Sequence, residues 1–274
     1  MLPDILGETI AKPSRGLMKK TTQFHSFSFL PLLILAMLVN ILAQTVHETG
    51  HHIVYQVMGH EPAWAFTKLV QLSETTPTNP DGWIKKTYPN GDTNWLKMSS
   101  LPSSKTEEAI AAVAGPLAGL LSAALGLVMS RRSQKVTTKE AWLGYAISAP
   151  LVATLYYLRA PMRTGGDEYD VAVSLGIAKS LIEIPFALGY LACLIFGLRE
   201  LPTWRIRLGW LGTILLGSIA TGIPMAMLDP IIISQVDAGS PFFQPVIGYS
   251  LPVFFTIVLS FLGLWAWSRW QEKT

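Results

Sequence analysis

Cysteine is nearly absent. Cys193 stands alone in 274 residues, so the chain has no intramolecular disulfide and no Cys-x-x-C clasp for metal or redox chemistry. Charge is scarce as well. Only 14% of the residues are Asp, Glu, Lys or Arg, against about 25% in an ordinary soluble domain, while 50% are hydrophobic. This balance excludes the usual water-soluble fold and describes a polytopic bundle in a lipid bilayer. The net charge of +3 does not point to nucleic acid, because the basic residues sit in short clusters between apolar runs and not along one stripe.

Apolar runs near the roughly 20 residues needed to cross hydrocarbon lie at 27–46, 109–130, 141–160, 177–198, 208–228 and 246–268. The expected fold class is therefore an all-α polytopic membrane protein of about six transmembrane helices. Pro150 and Pro224 fall inside two runs and are places for a kink. The basic residues before the first run would also suit a signal peptide, but an apolar core of about 19 residues exceeds the 7–15 of a signal.

Two regions follow: a cytoplasmic N-terminal segment, 1–26, and a single membrane-embedded domain, 27–274. Lys12, Arg15, Lys19 and Lys20, then Arg131, Arg132, Lys135 and Lys139, then Arg199, Arg205 and Arg207 mark the cytoplasmic side. Both termini are expected there. The segment 58–108 becomes an extracytoplasmic loop, and its Asn90-Gly91 dipeptide between β-prone flanks predicts a β-hairpin between the first two spans.

The chemistry lies in "TVHETGHHIVYQ", at the end of the first run. His47, Glu48 and His51 form H-E-x-x-H, which puts two imidazoles on one helical face, able to grip one metal. Asn40 and Gln44 stand seven residues before them and extend the same polar stripe. Such a stripe faces protein or water, since ionisable groups in a span are costly against lipid. His52 points about 100° away and is expected to be interfacial or supporting, not a ligand. His25 and His60 are expected to be solvated.

Imidazoles suit zinc, and a catalytic zinc site takes three protein ligands. The third must come from a segment returning to the same side, and "MRTGGDEYDVAVSLG" offers Asp167, Glu168 and Asp170 behind two glycines. Asp229 and Asp237 rank lower. The second run opens with "AAVAGPLAGLL", where Gly115, Pro116 and Gly119 bring a G-x-x-x-G pattern to that level, for helix packing or substrate binding. Asn40 carries the same pair of readings. Lys179 and Glu183 read as an i,i+4 ion pair.

In order, "HETGH", "AGPLAG" and "GGD" resemble the site-two protease family of intramembrane zinc metalloproteases. The resemblance implies zinc held by His47, His51 and Asp167, with Glu48 as the catalytic base. It implies a zinc metalloendopeptidase whose partners are membrane-embedded or membrane-proximal peptide substrates and the bilayer itself. Two departures stand out. The family's Asn-x-x-Pro and Asp-Gly pattern is altered here, with Leu158 in the asparagine position and Glu168 after the aspartate. Familiar members also place the site toward the cytosol, whereas the basic clusters place this one near the extracytoplasmic side.

Two other readings share the residues. A membrane zinc protein that merely binds a partner would carry the same ligands, but has no need of Glu48. A prenyl-protein protease would take a glutamate as third ligand, and Glu168 is available. Arg159 and Arg163 are expected to anchor at the interface, with oxyanion stabilisation the other reading.

Overall fold

Hydrocarbon satisfies no bare N–H or C=O, so each apolar run must close its hydrogen bonds within itself, as a helix. The computed structural model describes residues 28–272 apart from 74, 78, 88–90, 92, 99–103 and 163–164. The expected arm 1–26, His25, Asn90 and Arg163 lie outside the described residues.

The chain begins with α1 (Phe29–Val57), followed by β1 (Leu72–Ser73), β2 (Trp83–Thr87) and β3 (Thr93–Lys97). Then come α2 (Lys105–Arg132), α3 (Val136–Arg159), the short α4 (Asp167–Leu175), α5 (Ser180–Arg199) and α6 (Trp204–Asp237). Two-residue strands β4 (Pro245–Val246) and β5 (Tyr249–Ser250) lead into α7 (Leu251–Gln271). Among the described residues, α1, α2, α3, α5, α6 and α7 are the six helices long and apolar enough to span a bilayer. The protein is a mostly helical, multi-pass membrane protein, as its composition requires.

α1 is the central post, touching α2, α3, α6 and α7. Its first half buries Leu32, Leu35, Ala36 and Val39 against Leu143, Ile147, Ile214 and Trp267. α2 starts on a capped turn: the Ser104 hydroxyl accepts the Glu107 N–H at 3.2 Å. Glu107 and Glu108 then sit at the positive end of its dipole and Arg131 and Arg132 at the negative end.

The expected hairpin is present as β2–β3, paired from Trp83↔Lys97 to Thr87↔Thr93, with β1 added on the far side of β3. The sheet therefore runs β1-β3-β2. It forms a roof over one end of the bundle, tied down through Trp64. The Trp64 N–H donates to the Gly248 carbonyl at 2.9 Å, and its carbonyl accepts from the Ser250 N–H at 2.9 Å.

One expected boundary is corrected. The fifth span continues to Asp237 rather than ending near 228, whereas the first apolar run continues as helix through the histidine motif to Val57, just before the expected loop at 58. Counting apolar residues stops at the first polar ones, but Glu48, His51 and Asp229 are buried against protein, so their polarity does not end a helix. Asp229 is thus a helical residue and not part of a loop. α6 also runs on through Pro224 and Pro230.

Candidate metal centre

His47 and His51 sit one turn apart on the roofed half of α1, with ring centroids 4.9 Å apart and planes at 78°. Asp167, the first residue of α4, reaches across to both. Its Oδ2 lies 3.2 Å from His47 Nε2 and its Oδ1 3.5 Å from His51 Nε2, while the two Nε2 atoms are 3.2 Å apart. Among the described residues these three form a group able to hold a metal ion, with donor atoms within 4.8 Å of one another. Ligands about 2.0–2.1 Å from a tetrahedral ion stand roughly 3.3 Å apart, and the separations here match that edge.

The His51 tautomer agrees. Its Nδ1 lies 2.7 Å from the Ala111 carbonyl, which can only accept, so the proton belongs on Nδ1 and the Nε2 lone pair faces the group. The ring is held from two sides, stacked on Trp64 with centroids 5.6 Å apart and pressed against Gly115. A Cβ at Gly115 would overlap the imidazole. The first glycine of the G-x-x-x-G pattern therefore makes room for a histidine side chain. The close backbone approach between these helices occurs at Gly50 instead, where a Cβ would lie 2.5 Å from the Ala114 oxygen.

Glu48 is 4% exposed, and its Oε1 accepts from Gln44 Nε2 at 2.5 Å. Both line the same cavity, of about 1020 Å³, which reaches from Asn40 and Ala149 deep in the bundle past the donor group to Lys86 and Asn94 under the sheet. Asn40 donates to Thr221 Oγ1 at 2.6 Å, so it joins α1 to α6 as well as lining the cavity floor. At the mouth, Lys86 of β2 pairs with Glu108 of α2 at 2.5 Å.

The three candidate carboxylates divide clearly. Burial alone would push the Asp167 carboxyl up, but the His51 charge and hydrogen bonds from both imidazoles hold it well below the usual range. Glu168, 2% exposed, turns away and accepts the hydroxyls of Tyr157 and, at 3.0 Å, Tyr156. Asp170 lines the cavity outside the donor group, and burial followed by the Asp167 charge pushes its carboxyl up to about 7.

Asp229 holds the roof. Fully buried, it accepts the Phe66 N–H at 2.6 Å, the Thr67 N–H at 3.1 Å and the Thr67 hydroxyl at 2.5 Å. His52 lies apart from the donors, against Gly248 and tilted over Tyr249. His60 is half-buried rather than solvated, edge-on to Tyr55 with its Nε2 enclosed, because the turn after α1 folds it back onto the helix. Arg159 is exposed and outside the cavity lining. Lys179 and Glu183 pair at 2.7 Å.

Sequence reasoning passed over Tyr156, Tyr157, Tyr190 and Trp64. A signal existed for the tyrosines: a phenol inside a membrane helix needs a partner for its hydroxyl, and two of them bond the glutamate beside Asp167 while Tyr190 bonds the Pro116 carbonyl. Comparison of the chain with protein-family models, with curated proteins and with solved structures finds no match.

Proposed function

We propose that this chain is an intramembrane zinc metalloendopeptidase, a divergent relative of the site-two proteases, which hydrolyses peptide bonds of membrane-embedded or membrane-proximal substrates. The observation that carries the reading is the convergence of two imidazole nitrogens and one carboxylate on a large cavity that a buried glutamate also lines. His47, His51 and Asp167 would hold the ion. Zinc in that position supplies Lewis-acid charge, which polarises a carbonyl and acidifies water.

The remaining work falls to side chains. The Glu48 carboxylate takes a proton from the attacking water as its oxygen bonds to the carbonyl carbon, and delivers it to the amine nitrogen as the C–N bond breaks. Gln44 fixes the carboxylate's orientation through its amide. A helical substrate carbonyl is shielded by its own hydrogen bond, so the cleaved segment must be extended when it enters the cavity. Among the described residues β2 is an edge strand of the sheet, and a strand edge is the kind of surface to which an extended segment can add. We further propose cytoplasmic termini and a site near the extracytoplasmic side, on the distribution of lysine and arginine.

The test is zinc per chain and peptide cleavage in wild type, His47→Ala, Asp167→Ala and Glu48→Gln, purified in one detergent. The alanine variants should lose zinc, and Glu48→Gln should keep zinc and lose cleavage. Zinc-free wild type after supplementation would end the metal reading. Cleavage by Glu48→Gln would end its role as base and leave a zinc-binding scaffold as the better account.

A further inference from the structure

Asp167 lies at an awkward place from which to hold anything. It opens a nine-residue helix, too short to be stable alone, and the residue before it, Gly166, has φ +101° and no side chain with which to cap the first turn. Something else must fix the rotation of that turn. We infer that Glu168, gripped by Tyr156 and Tyr157, is a positioning residue that sets the direction of the Asp167 carboxylate toward the two histidines, and is not itself a ligand. This rests on the metal-centre reading proposed above.

Adjacent residues on a helix project about 100° apart, so pinning one in the first turn fixes the other. Glu168 is pinned firmly. Its Oε2 accepts the Tyr156 hydroxyl at 3.0 Å and its Oε1 accepts that of Tyr157, two phenols from the last turn of α3. A carboxylate with two acceptor oxygens is the side chain that suits two convergent donors, and hydrogen bonds to a charged acceptor are the strong ones.

The phenols are themselves held. The Tyr157 ring stacks on Phe186 at 6.4 Å with planes 3° apart and on Tyr190 at 6.0 Å. The Tyr190 hydroxyl donates to the Pro116 carbonyl at 2.8 Å, between the two glycines of α2 that meet His51 and Tyr190. Two of the three donors are thereby referenced to one scaffold: α2 supports His51 directly, and through Tyr190, Tyr157 and Glu168 it supports the turn that carries Asp167. Gly166 belongs to the same device, because the Tyr156 hydroxyl fills the place of a Cβ there.

Outer hydrogen-bond partners of metal ligands typically change affinity by about 10–100-fold. The experiment is zinc affinity by chelator competition together with the absorption spectrum of the cobalt(II)-loaded protein. It compares wild type, Glu168→Gln, Tyr157→Phe, the Tyr156→Phe/Tyr157→Phe pair and Asp167→Ala. Glu168→Gln and the phenylalanine pair should still fill with metal at saturation, bind it about 10–100-fold more weakly, and shift the cobalt bands. Tyr157→Phe removes one hydroxyl and no ring, so it should give a smaller change in the same direction even where Glu168→Gln fails to fold.

Wild-type affinity and unchanged bands in the folded tyrosine variants would overturn the positioning role. Loss of metal from Glu168→Gln with retention in Asp167→Ala would overturn it in the other direction, making Glu168 the ligand. A wild type that binds neither zinc nor cobalt would instead remove the metal reading itself.

Discussion

The two halves of α1 are both buried, for opposite reasons. Leu32, Leu35, Ala36 and Val39 meet other apolar side chains, whereas Glu48, His51 and His52 are enclosed at the roofed end. In a bilayer the first kind of burial gains little from leaving the solvent, since lipid is as apolar as leucine, and its return is packing. The second is enforced, because an ionisable group facing lipid is costly and must find protein or water. The dry half holds the helices together. The wet half decides which way they face and which segments must come to meet them.

The sharpest break in that comparison is a pair of truncations on the same helix. His51→Ala removes a donor atom, the bond to the Ala111 carbonyl and the stacking partner of Trp64, and should abolish metal binding in a chain that still folds. Leu35→Ala should do the reverse. It should cost stability near the low end of the roughly 2–5 kcal/mol seen for large-to-small core changes, because the cavity term survives in lipid while the transfer term does not, and leave zinc stoichiometry intact. Metal analysis beside unfolding of both variants in one detergent checks this. Zinc lost equally from both would mean that the halves are not separable.

A smaller effect is expected at Asp229, which belongs to neither half of α1 yet governs the roof over one. Asp229→Ala leaves the N–H groups of Phe66 and Thr67 without their acceptor, and bonds to a charged group contribute about 1.5–3 kcal/mol each at most. Hydrogen exchange should rise across 63–72, with zinc affinity falling less than in His51→Ala, since Trp64 then stacks on His51 from a looser segment. Unchanged protection in that segment would show that pairing with Gly248 and Ser250 is sufficient on its own.

What was legible in advance follows the range of the interactions. The H-E-x-x-H face is a matter of four residues on a helix, and the spans, the hairpin and the Lys179–Glu183 pair are equally local, so pattern reaches them. Convergence of Asp167 on the histidines needed topology as well, which narrowed the choice to three carboxylates, and among these only the resemblance of "GGD", not any physical argument, selected Asp167. The separation depends on Tyr156 and Tyr157, which look like ordinary apolar filling in "LVATLYYLR" until α4 folds back on α3. Asp229 was unreadable for a further reason. Its partners Phe66 and Thr67 lie more than 160 positions away, and only the assembled bundle turns a carboxylate beside a proline into the anchor of a roof.

Asp170 gives the mildest test, at the rim where wet and dry meet. Its carboxyl is pushed up to about 7 from an ordinary 3.8, first by burial and then by the Asp167 charge, with Glu108 and Glu168 adding to the rise and Lys86 opposing it. A carboxyl that holds its proton more tightly folded than unfolded favours the folded state while protonated. That contribution is complete below the unfolded value near 3.8 and is lost as pH climbs through about 7, so stability should decline across this window. Asp170→Asn mimics the protonated form at every pH. Thermal unfolding in detergent at acid, intermediate and mildly alkaline pH should show the variant level with wild type at the acid end, increasingly ahead of it as pH climbs from about 4 to about 7, and ahead by a constant margin above that. Because Asp167 is the largest charge acting on it, Asp167→Asn should shrink the same slope. A wild-type slope that survives in Asp170→Asn would move the titration to another group and place the Asp170 side chain in water, on the wet side of the boundary.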